Sequence, residues 1–341
     1  DRSLPFAYQV RRSQFDEILF HNAARKGALT LEGCRVRSIE FAPDGGARLQ
    51  VQREEGGEET WQARFVADAS GRDTFLGNRF GAKRRNASHN SAAIYAHFRS
   101  ARRHEGRCAG DISIFWFEHG WFWFIPLADG ATSVGAVVWP YYLRSRAKPV
   151  NEFLMDTIAL CPALAARLRG AERVSDAEAT GNYSYVCDRT HGPGYLLLGD
   201  AYTFIDPVFS TGVMLAMHSA FIGAEAIDAC LRRPAEAPRA LARFDRQMRR
   251  GPREFSWFIY RVTNPTIQGL FMAPRNYLRM RDALMALLAG DVFGRTPFRA
   301  SLLAFKAVFY LTSLAHLGRT IRAWRRRREN IRDQPAANAS A

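Results

Sequence analysis

The sequence predicts an α/β chain with α+β character, with an antiparallel sheet in its middle and helices in its C-terminal third. Three observations carry this reading. Four β-like runs, Ile94–Phe98, Ile112–Phe117, Trp121–Pro126 and Thr132–Val138, follow one another across turn or charged segments, which suits an antiparallel sheet. From Pro238 onward the pattern is helical, over about Pro238–Val262, Ile267–Leu288 and Pro297–Arg328. Between the two regions a short apolar strand, Tyr195–Leu198, closes in Gly199-Asp200. With 341 residues, 47% hydrophobic and 24% charged, the composition is that of a globular chain of one large or two ordinary domains.

In chain order, Tyr8–Gly27 is helical, with Phe15, Ile18, Leu19 and Ala23 on one face and Gly27 as its stop. Three short strands follow, Cys34–Phe41, Ala47–Arg53 and Trp61–Ala67. Pro43-Asp44-Gly45-Gly46 and the glycine-rich 54–59 segment are their turns. After the four central strands, Val150–Leu168 is helical, and a helix rich in small residues runs from about Gly212 to Cys230. Pro238 suits the start of the next helix, where its missing N–H costs nothing. The boundaries expected are 1–90, 91–190 for the sheet on the substrate side, 191–235 for the Gly-Asp loop and its helix, 236–332 for the helical region, and 333–341 as a disordered tail. The chain opens at Asp1 and enters a helix almost at once, so a preceding N-terminal portion is expected.

Five scattered cysteines, Cys34, Cys108, Cys161, Cys187 and Cys230, form no CxxC pair. The pattern argues against a disulfide framework and a zinc site, and fits a reducing, cytoplasmic compartment. No segment reads as a signal peptide, and no apolar run reaches the roughly 18 residues needed to span a bilayer. The net charge of +15 points to an anionic ligand, an acidic partner or a membrane surface. A third of it lies in Arg319–Asp333, where seven arginines face Glu329 and Asp333. This tail reads either as a solvated helix end or as a contact for an acidic carrier protein or for phospholipid headgroups beside the apolar Leu302–Leu317 stretch. Nucleic acid is not expected, because no binding fold accompanies the charge.

Three segments suggest chemistry. Arg11-Arg12-Ser13-Gln14-Phe15-Asp16 opens the first helix and also reads as an ordinary amphipathic start. Asp68-Ala69-Ser70-Gly71 ends a strand, which an ordinary turn also does. Gly199-Asp200-Ala201, then Asp206-Pro207 and Ser210-Thr211-Gly212, gives a strand-loop-helix with an acceptor at the carboxyl end of a strand, where nucleotide-like ligands sit. Asp200 can accept from ribitol or ribose hydroxyls, Pro207 stiffens the loop, and Gly212 lets backbone approach a flat ligand ahead of a helix N-terminus. Trp121-Phe122-Trp123-Phe124-Ile125-Pro126 puts two indoles on one face of a strand and two phenyl rings on the other. Residue types alone read that as a sheet packed on both sides.

In this order the first three segments resemble the FAD-dependent aromatic hydroxylase superfamily, and the W-x-W-x-I-P string resembles its flavin-dependent, tryptophan-halogenase-like halogenases. The helical segments with Asn264-Pro265, Ala273-Pro274-Arg275-Asn276 and Leu288–Phe293 are also similar to that family. The resemblance implies an FAD-binding fold, with Arg12, Asp68, Gly71, Gly199, Asp200, Pro207 and Gly212 on the cofactor and Thr211 with Gly212 on chloride or bromide. It implies Trp121 and Trp123 as the barrier between flavin and substrate, and no metal. It further implies halogenation of an electron-rich ring by a halide oxidised with reduced FAD and oxygen, and a place in antibiotic or pigment biosynthesis. A separate flavin reductase is a partner. The family's GxGxxG segment and catalytic lysine belong upstream of Asp1. Lys26, Lys83, Lys148 and Lys306 do not match that lysine's context, so residues 1–341 alone are expected to bind FAD poorly and to be inactive. Phe209 stands where tryptophan halogenases carry a glutamate, which favours a phenolic or pyrrolic substrate, free or tethered to an acyl carrier protein. A monooxygenase or reductase of the same superfamily, and an inactive truncated chain, are the alternatives.

Overall fold

The computed structural model describes residues 7–43, 45–181, 184–261, 264–272, 276–291, 293 and 297–332. Val262, Ala273-Pro274-Arg275, Val292 and the 333–341 tail lie outside them. The chain divides into two compact units, Asp1–Cys34 with Ser91–Asn182, and Arg35–Asn90 with Tyr183–Ala341. The first helix thus groups with the central sheet, where the sequence pattern keeps it with residues 1–90.

The first unit is built on a wholly antiparallel six-stranded sheet. Its order is Glu172–Arg173, Ala92–Arg99, Thr132–Val138, Gly120–Pro126, Ser113–Phe117, and Glu178–Gly181 also pairs with Ala92–Arg99. Alternation gives it two faces. Ile94, Phe98, Phe122, Phe124, Val134 and Ala136 are buried on one, in a core shared with Phe153, Leu154, Ile158 and Leu164 from two helices. Those helices, Val150–Ala159 and Pro162–Arg167, are one run in the sequence pattern. Pro162 ends the first and fits the start of the second, where it needs no N–H acceptor. The N-terminal helix, Arg12–Arg25, buries none of its residues.

The second unit opens with a three-stranded sheet, Cys34–Phe41, Ala47–Arg53 and Glu58–Ala63. The run expected over Trp61–Ala67 divides at Arg64-Phe65, and Val66–Asp68 joins a different sheet. There it pairs in parallel with Tyr195–Leu197, the one parallel pair among the described strands. The C-terminal part is helical: Gly212–Arg232, Ala237–Ile259, Pro265–Met272, Met280–Leu288, Arg299–Ala315 and Leu317–Arg332. The helix expected over Ile267–Leu288 is broken, and Leu278 and Arg279 take left-handed φ values of 50° and 57°. Gly212–Arg232 is long and apolar enough to span a bilayer, a length that the sequence pattern underestimates. Its Ser219, Ile222, Gly223, Ala226 and Ala229 are nonetheless buried in the unit. Arg299–Ala315 and Leu317–Ile331 together also pass by composition but bend by 102° at their junction.

Candidate active site

Strand Val66–Asp68 and strand Tyr195–Leu197 run side by side, with Leu197 opposite Asp68. Their carboxyl ends therefore deliver Asp68-Ala69-Ser70-Gly71 and Gly199-Asp200 to the same edge, the position where open α/β sheets bind nucleotides. Leu198 N–H donates to the Asp68 carbonyl at 2.9 Å and continues the pairing one residue further. The Asp68 carboxylate is buried and accepts two backbone amides, Ser70 at 2.9 Å and Leu76 at 2.8 Å. Both of its oxygens hold the following turn, in which Gly71 adopts a φ of 63°.

Gly199 has a φ of 51°, and a Cβ there would lie 2.9 Å from the Ala216 Cβ. Glycine is required by both the conformation and the close helix contact. Ser219 fixes this approach, accepting from Gly199 N at 2.9 Å and donating to the Ala216 carbonyl at 2.6 Å. Asp200 is half-buried, and its carbonyl accepts from the Tyr185 hydroxyl at 2.8 Å. Burial pushes the Tyr185 phenol well above its usual range, so it stays a donor.

Asp206 then turns the chain toward the long helix. Its Oδ1 caps the Pro207–Phe209 turn by accepting from Val208 N at 3.0 Å. Ser210 takes a left-handed conformation, φ 52° and ψ 29°, and Thr211 follows at φ −86° and ψ −9°. The left-handed residue of the loop is Ser210, and a Cβ on Gly212 would sit 3.4 Å from the Phe204 ring. Thr211 is buried, and the amides of residues 211–214 find no backbone acceptor among the described residues. A half-enclosed helix N-terminus of this kind attracts a small anion. Phe209 packs edge-on against Phe258, with ring centroids 6.5 Å apart.

In the other unit, Trp121 and Trp123 lie on the sheet face opposite the phenylalanine core, with centroids 6.2 Å apart. Trp121 is buried and Trp123 half-buried. Trp123 Nε1 donates to Ser133 Oγ at 3.1 Å, and its ring lies across Gly135, where a Cβ would stand 2.2 Å from it. Tyr95 flanks it at 5.9 Å and donates to Glu178 at 2.5 Å. Arg12 is largely exposed and pairs with Asp16 one turn along its own helix, at 2.9 Å.

Two residues that the sequence did not assign to this site enter it. His89 is buried and its Nε2 lies 2.6 Å from Asp206 Oδ2. Arg327, grouped by sequence with its exposed neighbours, is instead turned inward. No spacing rule links His89 to Asp206. The one available signal was the Asp-Pro step, which marks a capped turn.

The geometry defines a class, an α/β sheet edge of the kind that binds nucleotides, set beside the N-terminus of a long helix. The tryptophan halogenase family model matches residues 1–266, and the chain belongs to that family. It is 28% identical over 294 residues to the 1H-pyrrole-2-carbonyl-[peptidyl-carrier protein] chlorinase of Pseudomonas fluorescens, covering 84% of this chain and 65% of the relative. It is 31% identical over 227 residues to the tryptophan 2-halogenase of Chondromyces crocatus, covering 65% of this chain and 44% of the relative. The chain thus spans between about half and two thirds of these curated relatives. Among solved structures, the myxobacterial chondrochloren halogenase CndH, a variant of FAD-dependent halogenases, superimposes with a TM-score of 0.73 at 32% identity. That alignment covers 84% of this chain and 68% of the other.

Proposed function

We propose that the protein carrying this chain halogenates an electron-rich aromatic substrate, phenolic or pyrrolic. The cofactor is FAD, reduced by a separate flavin reductase, and the halide is chloride or bromide. The observation that carries the reading is the half-enclosed start of the Gly212–Arg232 helix, held against the Gly199-Asp200 strand end. FAD fits the residues present. Gly199 leaves no side chain above the strand end, and Asp200 offers a half-exposed acceptor for ribityl hydroxyls. Gly71, Pro207 and Gly212 supply backbone, and Arg12 a cation, on the cofactor side. Asp68 acts through the turn that it holds.

When bound and reduced, FAD would give two electrons to oxygen, and the oxygen so activated would take two electrons from the halide. The chain's own residues do the rest. The Thr211 and Gly212 amides bind the desolvated halide, and neutral donors there discriminate by size where a cationic side chain would not. Phe209 offers no carboxylate to orient the indole of a free tryptophan. Trp121 and Trp123 keep the substrate from the cofactor. A carrier-tethered pyrrole is supported by the Pseudomonas fluorescens relative, a 1H-pyrrole-2-carbonyl-[peptidyl-carrier protein] chlorinase. The exposed C-terminal arginines suit an acidic carrier as the partner. They also suit anionic lipid as a peripheral membrane contact.

The test combines the complete protein with a flavin reductase, FAD, oxygen and bromide or chloride. It offers free phenols and a carrier-tethered pyrrole, read by mass spectrometry. A halogen mass increment that disappears without halide is expected. Equal oxygenation in the absence of halide replaces the reading with a monooxygenase.

A further inference from the structure

Half-buried Arg327 and buried His89 form a relay that ends on Asp206. The Arg327 guanidinium donates to the carbonyl of Tyr260, to the carbonyl of Ser88 at 2.8 Å, and to His89 Nδ1 at 3.2 Å. His89 Nε2 meets Asp206 Oδ2 at 2.6 Å, and their side chains are 6% and 2% exposed. A guanidinium has only donors, so the Nδ1 that faces it carries the lone pair. The imidazole proton is therefore on Nε2 and is donated to Asp206. The other oxygen of Asp206 caps the Pro207–Phe209 turn, from which Ser210, Thr211 and Gly212 follow directly. The Tyr260 ring supports both partners, stacked on His89 with centroids 6.1 Å apart and 5.7 Å from the guanidinium carbon. Burial pushes Arg327 down to about 10, still cationic at neutral pH.

We propose that Arg327 and His89 are positioning residues that hold the 206–212 loop in the shape that presents the Thr211 and Gly212 amides. The helix Leu317–Arg332 thereby sets the geometry of the anion site. The loop's sole charged residue is Asp206. Its buried carboxylate accepts the imidazole N–H on one oxygen, and the guanidinium of Arg327 fixes the imidazole tautomer. The catalytic consequence rests on the halogenase reading, whereas the structural consequence does not.

The experiment uses the intact protein as Arg327→Gln and Arg327→Lys. Amide hydrogen exchange and bromide-dependent kinetics are measured on each. Arg327→Gln is expected to speed exchange across 207–212 and leave the Val66–Asp68 and Tyr195–Leu197 pair unchanged. It should raise the bromide KM on the order of 10-fold, as loss of an outer-shell partner does, with a smaller change in kcat. Arg327→Lys should restore most of both. Nitrogen NMR of the wild-type His89 should show the proton on Nε2. Unchanged exchange and unchanged bromide KM in Arg327→Gln, or a wild-type proton on Nδ1, overturns the proposal. If Arg327→Gln does not fold, His89→Gln, which keeps a donor toward Asp206, must retain slower exchange over 207–212 than His89→Leu; equal rates overturn the proposal. Should the wild type show no halide-dependent turnover, the halogenase reading falls and the exchange arm alone decides the relay.

Discussion

Ser210 is the residue on which the candidate anion site turns. It is one of the few non-glycine residues with a left-handed backbone, and it lies immediately before the buried Thr211. A β-branched side chain in that conformation meets the backbone more severely than serine does. Ser210→Val is therefore expected to lower stability by about 1–2 kcal/mol, while Ser210→Gly stays near wild type, as read from thermal denaturation. Equal melting temperatures for the two would mean that the loop relaxes out of the left-handed region without cost. The same conformation complicates Thr211→Pro, the direct way to delete one amide donor, because proline drives the preceding residue toward extended backbone. A loss of activity in that variant would report a displaced Ser210 together with the missing donor.

Among the elements, strand Gly120–Pro126 makes the clearest division of labour. Phe122 and Phe124 are fully buried against the two helices, whereas Trp123 is half-buried on the opposite face. Phe122→Ala should cost about 3–5 kcal/mol in denaturant unfolding. Trp123→Ala should cost clearly less and leave the helices packed. Equal costs would make both faces of the strand structural. This alternation was legible in the sequence, since a period of two is enough to sort W-x-W from F-x-F. So were the four central strands and the existence of the C-terminal helices. The Gly135 hollow beneath Trp123 was not, because it depends on which strand lies alongside. Nor was the parallel pairing of Asp68 with Leu197, the inward turn of Arg327 or its link to His89. Each joins residues far apart in the chain, and local periodicity carries no information about such partners. The helix expected over Ile267–Leu288 is interrupted at Leu278-Arg279, which no breaker residue marks.

Over the whole molecule, the +15 net charge should act at long range. Association with an acidic carrier protein is expected to be fast at low ionic strength and to slow steeply as salt shortens the range of the field. Arg325, Arg326 and Arg328 are exposed, and replacing all three with Gln should flatten that salt dependence and slow association several-fold. Turnover of a small free substrate should not change. Stopped-flow association at two salt concentrations measures the effect, and identical rates for variant and wild type would leave these arginines as solvated surface. Arg327 must be left out of that set, because its removal would act on the 206–212 loop.

The parallel pairing of Val66–Asp68 with Tyr195–Leu197 also orders events during synthesis. The whole six-stranded sheet of the first unit is encoded between these two strands. On the ribosome, Asp68 emerges long before the strand that it needs, and the intervening sheet can close on its own neighbours meanwhile. Closing so wide a loop is slow, and its reward comes only at the end. This edge therefore closes only after the intervening sheet has emerged, and until then Val66–Asp68 lacks its Tyr195–Leu197 partner.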